Sequence, residues 1–266
     1  MRGPRGEGAQ LTRLRGVVLA GGKGTRLLPM TRVVNKHLLP VYDQPMIYYP
    51  LRALVGAGIR EVCVVVGGRE PKEFEELLGN GKELGFERLT FVEQRGEGGI
   101  ADALACARPV VGDSSMCVML GDNVLEHSVA PFAASFLKSR DGAMVLLARV
   151  ADPKPFGVPS FDERGRIVEI TEKPVRPASA FAVVGVYFYT PSVWAVIDAL
   201  SPSDRGELEI SDVNNAYARR GQLAYGVLEG FWGDAGTTES LFLTSAVVRT
   251  WRLGGTNAAV AAGGES

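Results

Sequence analysis

The chain has 266 residues, of which 46% are hydrophobic and 22% charged, and its formal net charge is −1. That is enough for one large α/β domain or two small ones, with a sizeable core. So balanced a charge gives no broad attraction to nucleic acid or to an anionic membrane, while leaving room for a local basic pocket that holds phosphates.

Residues 1–15 carry arginines but no apolar h-region, and the apolar run that follows is very short. They read as a disordered tail rather than a signal peptide, and no stretch reads as a transmembrane helix. Residues 16–20, 62–66 and 116–120 are short apolar runs of the kind buried strands show, and helical segments are expected at 46–57, 71–78 and 101–110. Alternating strands and helices predict a Rossmann-like α/β fold, a mostly parallel mixed sheet flanked by helices. From 143 onward the pattern is more mixed. Strands are expected at 143–150, 166–171 and 183–189, a turn at 162–165, and helices at 192–200 and 210–219. No low-complexity linker or internal repeat divides the chain. It reads as one domain over 16–245, with a nucleotide-binding half (16–142) and a substrate-binding half (143–245), followed by a short C-terminal segment with a flexible tail (246–266).

Cys63, Cys106 and Cys117 form no Cys-x-x-Cys pair and lie in apolar surroundings, so they read as buried reduced thiols suited to the cytoplasm. His37 and His127 are the only histidines, which excludes a His-rich metal site.

The most informative stretch runs from Val17 to Pro45. A buried strand enters Gly21-Gly22-Lys23-Gly24-Thr25-Arg26, where three glycines let backbone N–H groups turn inward around an anion. Such a loop lies at the carboxyl end of a parallel sheet, where open α/β sheets place ligands. Arg26 and Lys36 add charge. A Walker A loop is excluded because Gly24 follows Lys23, and a dinucleotide fingerprint would want glycine where Leu27 stands. On spacing alone a merely structural glycine turn stays open.

Gly21-Gly22-x-Gly24-Thr25-Arg26-Leu27-x-Pro29-x-Thr31, followed by Asn35-Lys36-His37-Leu38-Leu39-Pro40, resembles the sugar-1-phosphate nucleotidyltransferases, and among them is most similar to those that make dTDP-glucose. The resemblance continues through residues 43–51, Leu120-Gly121-Asp122-Asn123, Glu172-Lys173-Pro174, residues 205–212 and Trp232-Gly233-Asp234-Ala235-Gly236-Thr237. It covers roughly 16 to 241 in one order.

The resemblance implies a transfer from dTTP to glucose 1-phosphate that releases pyrophosphate, by in-line displacement with Mg²⁺ held by Asp122 and Asp234. Read alone, each of these aspartates is an ordinary turn residue. Arg26, Lys36, Asp122 and Asp234 are the implied catalytic residues. Leu19, Gly21, Gly22, Gly24, Thr25, Arg26, Gln94, Gly99 and Asp122 are implied to hold the nucleotide. Gly157, Glu172, Lys173, Val184 and Arg205 are implied to hold the sugar phosphate. A glutamine amide offers both donor and acceptor, as a pyrimidine imide edge requires, and Gly98-Gly99 allow close backbone approach.

The sequence also departs from the family. Asp102 stands where glutamine is common, Pro159-Ser160 follows Phe156-Gly157-Val158, and the chain ends soon after Leu241, where longer relatives carry a regulatory helical region. Feedback control is therefore not expected. A homo-oligomer, a tetramer by resemblance, is. The readings kept open are a UTP-using or other hexose-1-phosphate enzyme, and a silent sugar-nucleotide-binding relative.

Overall fold

The computed structural model describes residues 14–67, 71–139 and 141–254. It opens with β1 (Arg15–Ala20), a long loop and a small hairpin of β2 (Pro40–Val41) and β3 (Gln44–Pro45). Then come α1 (Tyr48–Gly56), β4 (Glu61–Gly67), α2 (Lys72–Leu78), β5 (Arg88–Gln94), α3 (Ile100–Cys106), α4 (Arg108–Val111) and β6 (Met116–Leu120). The second half holds β7 (Asn123–Leu125), α5 (Ala130–Lys138), β8 (Ala143–Arg149), β9 (Gly157–Phe161), β10 (Ile167–Glu172) and β11 (Phe181–Tyr189). It ends with α6 (Val193–Asp198), α7 (Ile210–Arg219), β12 (Leu223–Val227), β13 (Trp232–Asp234) and α8 (Thr238–Arg252).

One nine-stranded mixed sheet organises these elements. Its main path is β10-β9-β11-β6-β1-β4-β5, with β8 branching from β11 and β12 pairing parallel with β8. The neighbours β6, β1, β4 and β5 are all parallel, and β11 adds antiparallel pairing against β6, β8 and β9.

Both faces of the sheet are covered, which explains the unbroken apolar runs in its central strands. Val17, Leu19, Cys63, Val65 and Val118 pack on one face with Leu104, Trp194 and Val213 from α3, α6 and α7. Val18, Ala20, Val62, Val64 and Met119 pack on the other with Leu51, Phe74 and Phe136 from α1, α2 and α5. Each fully buried valine or leucine contributes roughly 1.5–3 kcal/mol of transfer free energy.

Several details differ from the sequence-based expectations. Leu14 is buried and β1 begins at Arg15, whose N–H donates to Ser115 O, so ordered structure starts inside the expected tail. The tails expected over residues 1–13 and 255–266 lie outside the described residues. The helix expected over 101–110 is two helices, because Pro109 at the start of α4 has no N–H to continue the first. Pro159-Ser160 sits inside β9, paired with Ile170 and Glu169 of β10. Cys63 and Cys117 are buried, but Cys106 is only partly so. The last helix, α8, runs unbroken across residue 245.

Candidate active site

The loops at the carboxyl ends of β1, β4, β5 and β6 meet on one rim of the sheet. Gly21 and Gly67 approach so closely that a Cβ on Gly67 would lie 2.9 Å from the Gly21 Cα. Gly22 and Gly24 have φ of 90° and 61°, values that favour glycine, and a Cβ on Gly22 would meet open space. Thr31 Oγ1 donates to Gly24 O at 2.8 Å, and the Leu27 side chain, fully buried, anchors the loop from below.

Asn35 and His37 brace this loop. Asn35 Nδ2 donates to Ala20 O at 3.3 Å and to Gly67 O at 3.4 Å, tying the ends of β1 and β4 together. Asn35 Oδ1 accepts from the His37 N–H at 3.0 Å and lies 2.8 Å from His37 Nδ1. Burial, and then the neighbouring Lys36, push the His37 imidazole down to about 3. The ring is therefore neutral, and because Asn35 Oδ1 only accepts, Nδ1 carries the proton.

Lys36 follows Asn35 and points back across the loop. Its Nζ lies 2.5 Å from Asp122 Oδ2, and both side chains are largely buried. Burial raises the Asp122 carboxyl, but the charge of Lys36, the neighbouring His37 and the hydrogen bonds from Lys36 and Asn123 together outweigh it, and the net position is well below the usual carboxylate range. Asp234 goes the other way. Burial and then the charge of Asp122 push it up to about 6, with only partial relief from Lys36 and Arg26.

The meeting of these groups is visible at Gly236. A Cβ there would lie 2.9 Å from Asp234 Oδ1, 3.0 Å from Arg26 Nη2 and 3.6 Å from Asp122 Oδ2. Asp234 reaches this point because β13 pairs antiparallel with β7, placing Asp234 opposite Asn123. The turn is closed by Ala235 N donating to Asp122 O at 2.9 Å, and by a capping box between Thr237 and Ser240 that starts α8.

One buried carboxylate, Asp122, and one partly buried one, Asp234, that oppose each other electrostatically make a donor set suited to a divalent cation that keeps waters and phosphate oxygens as its other ligands. Among the described residues no group of three or more His, Cys, Asp or Glu gathers, here or elsewhere, so the pair of aspartates would have to share any cation with waters or phosphate oxygens.

Asn123 links this centre to the second half. Its Oδ1 accepts from Gly185 N at 3.0 Å and from Trp232 Nε1 at 2.6 Å, and its Nδ2 donates to Asp122 Oδ1 at 3.2 Å. Sequence reasoning noted Asn123 only as part of a motif and Trp232 likewise. A polar pair directly after an apolar strand was the available signal.

The segment after β5 forms a second wall. Gln94 is buried against Gly21, where a Cβ would lie 2.8 Å from its Oε1. Gly99 has φ of 93°, and a Cβ there would come within 2.6 Å of Leu208 O. Lys23 in the glycine loop and Glu97 here form an ion pair at 2.6 Å across the cleft mouth. Leu208 N donates to Gly98 O and Ala101 N to Leu208 O, so this wall is laced to the 205–209 loop.

On that neighbouring rim lie the residues implied for the sugar phosphate. Gly157 pairs with Glu172, and a Cβ at Gly157 would lie 3.4 Å from Glu172 Oε2. Lys173 has φ of 45°, unusual for a side-chain-bearing residue, and is held there by its N–H donating to Phe156 O. Its Nζ lies 3.6 Å from Glu172 Oε1. Arg205 bonds both oxygens of Glu209 at 2.8 Å, so its guanidinium is engaged with carboxylate. Burial raises the Glu172 carboxyl; Lys173 and Arg205 lower it and Glu209 raises it, which shows these groups within electrostatic reach of one another. Val184 differs from the rest: its side chain is fully buried in the core with Val18 and Val186, leaving only its main chain to face a ligand.

Comparison with known proteins gives a consistent pattern. The family model for nucleotidyl transferases matches residues 15–250. The chain is 46% identical over 228 residues to a glucose-1-phosphate thymidylyltransferase of Actinoplanes sp., covering 84% of this chain and 74% of that one. It is 43% identical over 240 residues to the glucose-1-phosphate thymidylyltransferase of Neisseria gonorrhoeae, covering 89% and 83%. A crystal structure from Bacillus anthracis, provisionally described as a glucose-1-phosphate thymidylyltransferase and bound to sucrose, matches with a TM-score of 0.84 at 43% identity, covering 89% and 95%. A UDP-glucose pyrophosphorylase bound to UDP-glucose matches with a TM-score of 0.80 at 25% identity, covering 90% and 99%.

Proposed function

The chain belongs to the nucleotidyl transferase family, and on that footing we propose that it transfers a thymidylyl group from dTTP to glucose 1-phosphate, giving dTDP-glucose and pyrophosphate. The observation that carries the reading is the meeting of Asp122, Asp234, Lys36 and Arg26 beside the glycine loop. In the reaction a phosphate oxygen of the sugar attacks the α-phosphorus. The bond from that phosphorus to the bridging oxygen breaks, and pyrophosphate leaves with the electron pair. The nucleophile is already an anion at neutral pH, so no general base is needed. The obstacle is repulsion between anions, and the chain answers it with fixed positive groups and backbone N–H donors.

In this scheme Gly21, Gly22, Gly24 and Thr25 wrap the triphosphate with their N–H groups, and Leu19, Gln94 and Gly99 receive the base. Arg26 faces the leaving pyrophosphate. Lys36 holds the Asp122 carboxylate ionised and faces the α-phosphate. Gly157, Glu172 and the Val184 main chain receive the sugar, and Lys173 and Arg205 its phosphate. The cation that fits the two carboxylates is Mg²⁺, which when bound neutralises phosphate charge at the reacting centre. Asn123 and the β7–β13 pairing keep the two carboxylates together.

Association into a homo-oligomer, a tetramer, belongs to the same reading, supported by exposed Phe242 and Leu243 on α8. So does a cytoplasmic location, supported by three free cysteines; no helix among the described residues is long and apolar enough to cross a membrane. The deciding experiment is pyrophosphate release with a panel of nucleoside triphosphates and sugar 1-phosphates. Release only with dTTP or UTP plus glucose 1-phosphate is expected. Absence of release with every pair would leave a silent sugar-nucleotide-binding relative.

A further inference from the structure

Asp102 lies in the first turn of α3, and its carboxylate sits over Gly98, where a Cβ would come within 2.5 Å of Oδ2. Gln94 Nε2 donates to Asp102 Oδ2 at 2.7 Å and to Gly99 O at 3.2 Å. A primary amide has two N–H donors and one carbonyl acceptor. Both partners here accept only, so both donors are committed and the orientation of the amide follows from chemistry. Oε1 is turned toward Gly21. Gln94 is 5% exposed, and no group among the described residues donates to its Oε1. Oε1 is not one of the sealed, unpartnered polar atoms, so it stays reachable and free to accept a donor from a ligand.

We propose that Asp102 sets the choice of pyrimidine by fixing which way Gln94 faces the base. The inference rests on the base-site reading given above. Thymine and uracil carry an N3–H donor flanked by carbonyl acceptors, whereas cytosine presents a bare lone pair at N3. The Gly99 N–H donates to a base carbonyl, and Gln94 Oε1 accepts N3–H beside it. With cytosine in the same pose, two acceptors face each other. Turning the amide over to meet cytosine would aim Oε1 at the Asp102 carboxylate and the Gly99 carbonyl, crowding three acceptors together. Asp102 touches no substrate in this scheme. It is a positioning residue that acts through Gln94.

The test is kcat/KM for dTTP and dCTP at fixed glucose 1-phosphate, in the wild type and in Asp102→Asn, Asp102→Ser and Asp102→Glu. The wild type is expected to favour dTTP strongly. Asp102→Asn should lower the dTTP-to-dCTP ratio about tenfold or more, the worth of one hydrogen bond with its penalty for mispairing. The change should sit in KM for the triphosphate, with KM for glucose 1-phosphate unmoved. Asp102→Ser carries the same expectation should the asparagine variant not fold, and Asp102→Glu should hold the ratio within a few-fold. A purely structural role for Asp102 at the start of α3 would weaken both triphosphates alike. An unchanged ratio in folded Asp102→Asn or Asp102→Ser overturns the proposal while the base-site reading stands. A wild type that does not discriminate between dTTP and dCTP overturns both.

Discussion

The Trp232 indole N–H donates to the Asn123 side-chain carbonyl over 2.6 Å, joining residues 109 positions apart. The same carbonyl accepts from Gly185 N, and the Asn123 amide reaches Asp122. One buried side chain thus sets the distance between the two carboxylates and fixes the strand that enters the sugar side.

Trp232→Phe keeps most of the ring and removes only the donor. It should lower unfolding free energy by about 1 kcal/mol, read as a shift in urea midpoint at constant m-value. Asn123→Ala leaves two buried N–H groups without their acceptor and should be worse, on the order of 2–4 kcal/mol. Equal stability of Asn123→Ala and wild type would show that the hub has no structural weight.

Either Asp122→Asn or Asp234→Asn should remove most activity with the fold intact. Losing several kcal/mol of cation-dependent stabilisation corresponds to roughly a thousandfold in rate. Circular dichroism and pyrophosphate release measured side by side would show this. Near-normal turnover of either variant with Mg²⁺ would remove that residue from the proposed cation site.

Asp234 also makes a pH prediction for the protein free of cation. Its folded value of about 6 lies above the ordinary 3.8, so between these values the folded state holds a proton that the unfolded state has released. Stability contributed by that proton is lost as pH rises from about 4 through about 6, by on the order of 2 kcal/mol. Asp122, held low by Lys36, works in the opposite sense. Its contribution is present above about 4 and lost only in stronger acid. His37, buried and neutral with its value lowered to about 3, works against Asp234 over this range, its contribution being lost as pH falls through about 6.5. Urea unfolding with EDTA at pH 5 and pH 7.5 therefore compares wild type with Asp234→Asn: the variant should gain stability relative to wild type as pH rises, and an unchanged difference between the two would assign the proton to other groups.

The central strands were legible because β1, β4 and β6 are buried on both faces and so are written as continuous apolar runs. β5 and β12 escaped notice because each has a single strand neighbour; β5 is partly exposed on both faces, with Arg88 and Thr90 on one and Glu93 on the other, and β12 exposes Tyr225 and Val227 on one face, which dilutes the apolar pattern. The glycine loop could be read locally, since its chemistry lies in consecutive residues. The closeness of Asp122 to Asp234 could not, because it depends on β7 meeting β13 across more than a hundred residues. Asp102 stood out as a departure from a pattern, yet its bond to Gln94 required the turn that brings the end of β5 back over α3.

The phosphate-binding groups should separate in steady-state kinetics. Arg26 lies with Asp234 at the carboxylate end, whereas Lys173 and Arg205 lie with Glu172 and Glu209. Arg26→Ala should chiefly lower kcat, because charge shifts at that end as pyrophosphate leaves. Lys173→Ala or Arg205→Ala should raise KM for glucose 1-phosphate more than KM for the triphosphate. If all three raised the triphosphate KM alone, this division of roles would be wrong.

The last prediction concerns the methyl group and the 2′-hydroxyl. Thymine and uracil present the same imide edge to Gln94 and Gly99, so those residues cannot tell dTTP from UTP. Discrimination must come from the base methyl and from the sugar. A methyl in an apolar pocket is worth about 1–3 kcal/mol, or roughly 10- to 200-fold, and rejecting one added hydroxyl is similarly hard unless a side chain blocks it. The expected result is therefore a preference for dTTP with measurable use of UTP. ATP and GTP should be poor, because their bases are larger and do not match a donor and an acceptor spaced for an imide edge. The measurement is kcat/KM for dTTP, UTP, ATP and GTP at one glucose 1-phosphate concentration. A purine triphosphate emerging as the best substrate would refute the base-site assignment and leave the phosphate-binding half of the scheme standing alone.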